Sequence, residues 1–225
     1  MDALARFADL LARPAPALPL DEAALCIAAV AQPDLDIDES LGRLDVLATE
    51  SRATDVATLM QFLFASGRYR GNSDDYYDPR NSYLDQVVAR GQGIPITLSV
   101  LAIEVGRRVG VPLVGVGMPG HFLVRDWKNP EVYVDTFNAG HLLHPGDCQQ
   151  LFRRTMGRQA PWHDAYLTPV SPVAIVERMV ANLRLTFQRN GDQRGQRWVM
   201  RLRVRCPAAT AADHDELARL LADTN

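Results

Sequence analysis

Between Ile94 and Pro112 the chain defines one helix at both of its ends. Pro95 suits a first helical turn, where its missing N–H leaves no bond unmade. Leu98, Leu101, Ala102, Val105 and Val109 then follow one face. Arg107 and Arg108 place positive charge at the carbonyl end, and Gly110 with Pro112 stops the helix. Three β-like runs follow at once, Leu113 to Met118, His121 to Arg125 and Glu131 to Asp135, with Pro119-Gly120 and Asp126 to Pro130 as turns. A central helix packed on a small antiparallel sheet makes the expected class α+β.

The last turn permits a register argument. A hairpin symmetric about Lys128 pairs Arg125 with Glu131, Leu123 with Tyr133 and His121 with Asp135. Opposed residues have Cβ atoms about 4.5–5.5 Å apart, so that register lets the imidazole meet the carboxylate. Phe122, Val124, Val132 and Val134 then share the other face, which has reason to be buried.

Residues 1–70 read as short helices broken at Arg13-Pro14-Ala15-Pro16 and near Gln32-Pro33, with Leu41, Leu44, Ala48, Leu59, Phe62 and Leu63 at helical spacing. Gly71 to Pro79 is a polar, tyrosine-rich loop expected to border a pocket, and Ser82 with Asp85 resembles a capping box for a helix ending near Gly91. Beyond Pro169 the pattern is helical again. Ala181 to Pro207 resembles one tetratricopeptide-type hairpin, which cannot bury its apolar face alone and is expected to dock on the core, before a terminal helix from about Asp213 to Leu221. The expected divisions are a helical part of the core at 1–70, the core proper at 71–169 and a docked helical segment at 170–225.

Apolar residues make up 47% of the chain, enough for a packed core, which disfavours disorder. No stretch approaches the roughly 18 apolar residues a bilayer span needs, so a membrane partner is not expected. Cys26, Cys148 and Cys206 are few and far apart, which suits free thiols and a cytoplasmic location. The net charge of −3 gives no general pull toward nucleic acid.

Tyr76 to Leu84, Gly93 to Leu101, Gly110-Val111-Pro112, Pro119 to Arg125 and Val134 to Asn138 occur in an order that resembles the SirB-type branch of the transglutaminase-like superfamily. The resemblance covers roughly Leu20 to Cys148 and implies a papain/transglutaminase-like core with a helical repeat segment behind it. In catalytic members a Cys at a helix start attacks an acyl group, a His acts as base and an Asp orients the His. A helix N-terminus and an imidazolium both favour the thiolate. The resemblance puts the Cys position at Pro95, the His at His121 and the Asp at Asp135. Pro95 can neither ionise nor attack.

No substitute nucleophile is evident. Ser99 lies one turn, about 6 Å, beyond Pro95 on nearly the same face, and its expected role is a hydroxyl bonding back to the Pro95 carbonyl. Cys148 is expected to be a half-buried thiol. Tyr77, Asn81 and Tyr83 are candidates to line the cleft. His141, His144 and Cys148 match no standard zinc spacing, so neither a metal nor a cofactor is expected. The arginines from Arg178 to Arg205 read as a solvated helical face partly paired with acids of the N-terminal helices, with RNA binding unsupported by any recognised module. The expected function is a non-catalytic module that binds a protein or peptide. The alternative is an acyl-transferring or amide-hydrolysing enzyme using His121 and Asp135 with water or Ser99.

Overall fold

The computed structural model describes residues 2–14 and 18–222. Of the first expected helix break, Ala15 and Pro16 lie outside the described residues. Four N-terminal helices come first: α1 (Ala3–Leu11), α2 (Leu20–Ala31), α3 (Ile37–Ser51) and α4 (Val56–Met60). Asp2, Asp36 and Asp55 cap α1, α3 and α4 with their carboxylates, each satisfying an orphan N–H. A π-turn over Gln61–Ala65 leads out of α4.

A two-residue strand β1 (Arg70–Gly71) pairs in parallel with β2 (Gln92–Gly93), and α5 (Leu84–Arg90) lies between them. The expected capping box is corrected here. Tyr83 is the N-cap of α5 and offers no side-chain bond, while Ser82 closes a 3-10 turn over Pro79–Ser82. Gly91 ends α5 at φ 68°, where a Cβ would stand 2.5 Å from the Arg68 carbonyl oxygen, so only glycine fits.

Helix α6 (Pro95–Arg108) begins and ends where its signals place it, but it is buried all round from Pro95 to Gly106 rather than along one stripe. It is the hub of the core. Helices α2, α3, α4 and α5 pack on it from one side and strands β3 (Leu113–Val116) and β4 (Leu123–Asp126) from the other. These strands continue into β5 (Tyr133–Asp135) and β6 (His141–Leu143), an all-antiparallel sheet in chain order.

The observed register pairs Val124 with Val134 and Arg125 with Tyr133, two residues away from the expected one. An even shift keeps every side chain on its face. Phe122, Val124 and Val134 therefore still join the main core, whereas Val132 is only half-buried. The reverse face is covered as well: Val116, Leu123 and Tyr133 pack against Cys148, Leu151 and Phe152 of α7 (Pro145–Met156).

Helices α8 (Pro172–Arg189) and α9 (Gln193–Arg203) form the C-terminal hairpin, and α10 (Ala211–Ala222) packs on α9. Ile175, Val176, Met179, Val180, Leu183 and Phe187 bury one side of α8 in the same apolar cluster as α2 and α6. The expected pairing of this arginine-rich segment with N-terminal acids is corrected. Arg184 bonds Asp213 and Glu216, and Arg203 bonds Asp213, so the acids come from α10.

Candidate functional site

Met118 to His121 form a tight turn closed by His121 N–H donating to the Met118 carbonyl at 3.1 Å. With Pro119 second and Gly120 third at φ 73°, this is the pattern of a type II turn. It presents His121 at the entrance to β4. The imidazole Nε2 lies 2.9 Å from Asp135 Oδ1 at the end of β5. The contact is diagonal, because the observed register sets Leu123 and not His121 opposite Asp135, and diagonal neighbours on one face remain within reach of long side chains.

Asp135 is held from several sides. Its Oδ1 accepts the N–H groups of Phe137 and Asn138, both at 3.2 Å, and its Oδ2 accepts Asn138 Nδ2 at 2.7 Å. Burial pushes this carboxyl up, but the bonds and charge from His121, together with those from Asn138, outweigh burial and keep it below its ordinary value. The group is therefore an ionised carboxylate that fixes one ring nitrogen of His121. His121 Nδ1 is left for the cleft.

That cleft has a volume of about 360 Å³. Its walls are Tyr76 and Tyr77 from the loop, Ile94 to Ile96 at the start of α6, Gly120 to Phe122 at the turn, and Arg178, Asn182, Leu185 and Thr186 from α8. A hollow of about 510 Å³ lies elsewhere, between α1, the α2–α3 turn and α9. Size does not choose between them. Only the smaller one brings a histidine backed by a carboxylate to a helix start.

Pro95 stands on the cleft wall with His121. The other expected site residues divide. Tyr77 lines the cleft, with Arg189 stacked 4.5 Å from its ring centroid. Asn81 is fully buried behind it: its Nδ2 donates to the carbonyls of Asp75 and Tyr76, and its Oδ1 accepts from Asn72. It shapes the loop rather than lining the cleft. Tyr83 points away, its ring centroid 6.2 Å from that of Trp198. Ser99 is fully buried and bonds the Thr136 hydroxyl at 3.0 Å, and Thr136 rather than Ser99 donates to the Pro95 carbonyl, at 3.3 Å.

The cysteines are all free, and none of them lines this cleft. Cys148 is fully rather than half buried, on the sheet face turned from α6, and burial pushes the Cys26, Cys148 and Cys206 thiols up to about 12. His141 sits exposed on β6 and His144 caps α7, and no cluster of potential metal ligands occurs among the described residues.

The α8 wall escaped the reading from sequence. Arg178, Asn182 and Thr186 recur every fourth residue, a polar stripe beside the buried Met179, Val180 and Leu183. The stripe was visible, but its orientation toward His121 depends on how α8 docks.

A family model described as "Transglutaminase-like superfamily" matches residues 27–181. The chain belongs to the transglutaminase-like superfamily. A UPF0162 protein of Xylella fastidiosa is 39% identical over 183 residues, 76% of this chain and 65% of its own length. A Pseudomonas aeruginosa UPF0162 protein is 33% identical over 94% of this chain and 80% of its own. Human F-box only protein 21 is 30% identical over 65% of this chain but only 24% of its own, so there the transglutaminase-like region is one part of a larger protein. This chain thus spans 65% of the length of the Xylella relatives it matches. No solved structure matches it significantly. Among the described residues no helix is long and apolar enough to cross a membrane.

Proposed function

We propose that this transglutaminase-like domain is a non-catalytic binding module whose cleft receives an extended peptide or protein segment. The observation that carries this is Pro95 on the cleft wall beside His121. At the position where a thiolate would form, proline offers neither a nucleophile nor a backbone N–H to steady a developing oxyanion. What remains fits recognition: aromatic rings at one wall, a helix start at another, and polar side chains of α8 opposite. The F-box only protein relatives, in which a similar region sits inside a larger chain, agree with a module used for interaction. The same proposal places the chain in the SirB-type branch, treats α8 and α9 as a tetratricopeptide-like hairpin, and puts the protein in the cytoplasm because its cysteines are free.

A second reading rests on the intact pair. His121, fixed by an ionised Asp135, is arranged as a base that would take a proton from a water attacking an amide carbonyl and return it to the departing amine. One experiment separates the two readings. The chain is incubated with an arrayed set of unstructured dodecapeptides, and bound and free fractions are analysed by mass spectrometry. The binding module retains a subset of peptides uncleaved and loses them on Tyr77→Ala. Cleavage that disappears in His121→Ala would establish the hydrolase instead, and retention of no peptide would sink the binding reading.

A further inference from the structure

Arg178 is a half-buried cation with no carboxylate partner among the described residues. Its Nη2 donates to the carbonyls of His121 at 2.7 Å and Met118 at 3.1 Å, and its guanidinium carbon lies 5.3 Å from the Phe122 ring centroid. Its Nε and Nη1 groups make no bond to the described residues. Burial depresses its pKa, the mark of a charge that the protein itself does not neutralise. Arg108 and Arg184, also half-buried, are paired, Arg108 with Asp21, Asp45 and Glu104, and Arg184 with Asp213 and Glu216.

No Asp or Glu among the described residues lines the cleft. Asn182 and Thr186, one and two turns further along the same face of α8, make no side-chain hydrogen bond to the described residues. Thr186 lines the cleft although only 6% of it is exposed. The α8 wall thus offers a cation and two neutral hydrogen-bonding groups in a row. It faces His121, whose ring Asp135 holds by a hydrogen bond.

We propose that Arg178, with Asn182 and Thr186, forms a subsite for a carboxylate of the bound peptide. This rests on the reading of the cleft as a peptide site. A carboxylate rather than a phosphate is favoured because one guanidinium supplies one positive charge, and the neighbouring donors are neutral. A phosphate near its second ionisation would leave charge uncompensated in a half-buried site. The carboxylate belongs either to a peptide C-terminus or to an acidic side chain.

The probes are N-acetyl-leucine, N-acetyl-glutamate α-amide, N-acetyl-leucinamide and inorganic phosphate, each titrated into the isotopically labelled full chain. The Arg178 Nε–H and His121 ring resonances are followed. One or both carboxylates should bind and shift Arg178, and which one does so assigns the source. The leucinamide and phosphate should bind at least about tenfold more weakly. Arg178→Gln should abolish the preference for acid over amide. Because that variant also loses two bonds to the turn, Thr186→Val and Asn182→Ala serve as gentler probes, each weakening the carboxylate about fivefold. Leucinamide binding as tightly as the acid would overturn the carboxylate subsite while leaving the peptide-binding reading intact. Tighter phosphate binding, or indifference to all three variants, would also overturn it. If no probe binds, the subsite is wrong, and the peptide array decides the broader reading by itself.

Discussion

At residue scale Pro95 bears most of the interpretation, and its position can be tested by its own chemistry. Pro95→Cys should place a thiol at the first turn of α6 facing His121. We expect it to titrate below the roughly 8.5 of free cysteine, because the helix start and a nearby imidazolium both stabilise thiolate. The pH dependence of alkylation, with and without His121→Ala, measures this. An unshifted thiol indifferent to His121 would mean that Pro95 is not the nucleophile position. Asp135 gives a second test. Its depressed pKa means that the ionised form contributes stability above the ordinary value of 3.8, and that this is lost as pH falls through the folded value. Asp135→Asn should therefore cost about 1–2 kcal/mol in urea melts at pH 7 and progressively less below pH ~4. A gap that stays constant with pH would contradict the assignment. The His121–Asp135 contact was legible in the sequence even though the register was not. The error of two residues preserved side-chain parity, whereas an error of one would have separated the pair. Ser99 was misjudged because its hydroxyl partner, Thr136, arrives from the turn after β5 and not from the local helix.

At the scale of elements, the turn that carries His121 depends on Gly120. Alanine there would meet Thr155 Cγ2 at 2.7 Å and Met156 Sδ at 2.8 Å, both ends of side chains that can shift. The positive φ cannot be relieved in the same way, so the strain of about 1–2 kcal/mol falls mainly on the backbone. We expect Gly120→Ala to lower the melting temperature and to weaken peptide retention together; unchanged retention would show that the turn does not position the site. A different device joins α2 to α6. Arg108 bridges Asp21 at 2.7 Å, Glu104 at 3.0 Å and Asp45 at 2.7 Å. Burial, with the charge of Asp21, pushes Glu104 up to about 7 against the pull of Arg107. A raised acid contributes stability at low pH and loses it as pH rises from about 4.5 to about 7. Glu104→Gln should thus gain on the wild type across that window and hold a constant difference above it, as read from denaturant midpoints. Elements with local signals, such as α6 with its proline start and glycine stop, were readable. The pair β1 and β2 was not, since two-residue strands form only because the tertiary fold brings them together. Helix α7 was overlooked although Cys148, Leu151 and Phe152 recur at helical spacing.

At the scale of the whole molecule, the apolar cluster runs without a break from Phe7 to Cys206. The six buried apolar side chains of α8 correspond to roughly 9–18 kcal/mol of burial, at about 1.5–3 kcal/mol each. That matches or exceeds the 5–15 kcal/mol net stability of an ordinary domain. We therefore expect the intact chain to unfold in one transition, and a chain cut after Pro169 to show no cooperative transition at all. A folded truncated core would refute this. The docking of α8 on its core was foreseeable from its apolar face, but not its angle, and so not the wall it builds around His121. Pro95 has a last consequence, in time rather than in space. A cysteine enzyme of this fold holds its substrate only until the acyl group is transferred and the product departs. On the binding reading, a segment seated against Pro95 leaves as it entered. The lifetime of the complex is then set by dissociation alone, and it can be lengthened or shortened at the α8 wall without any chemical step to keep pace with.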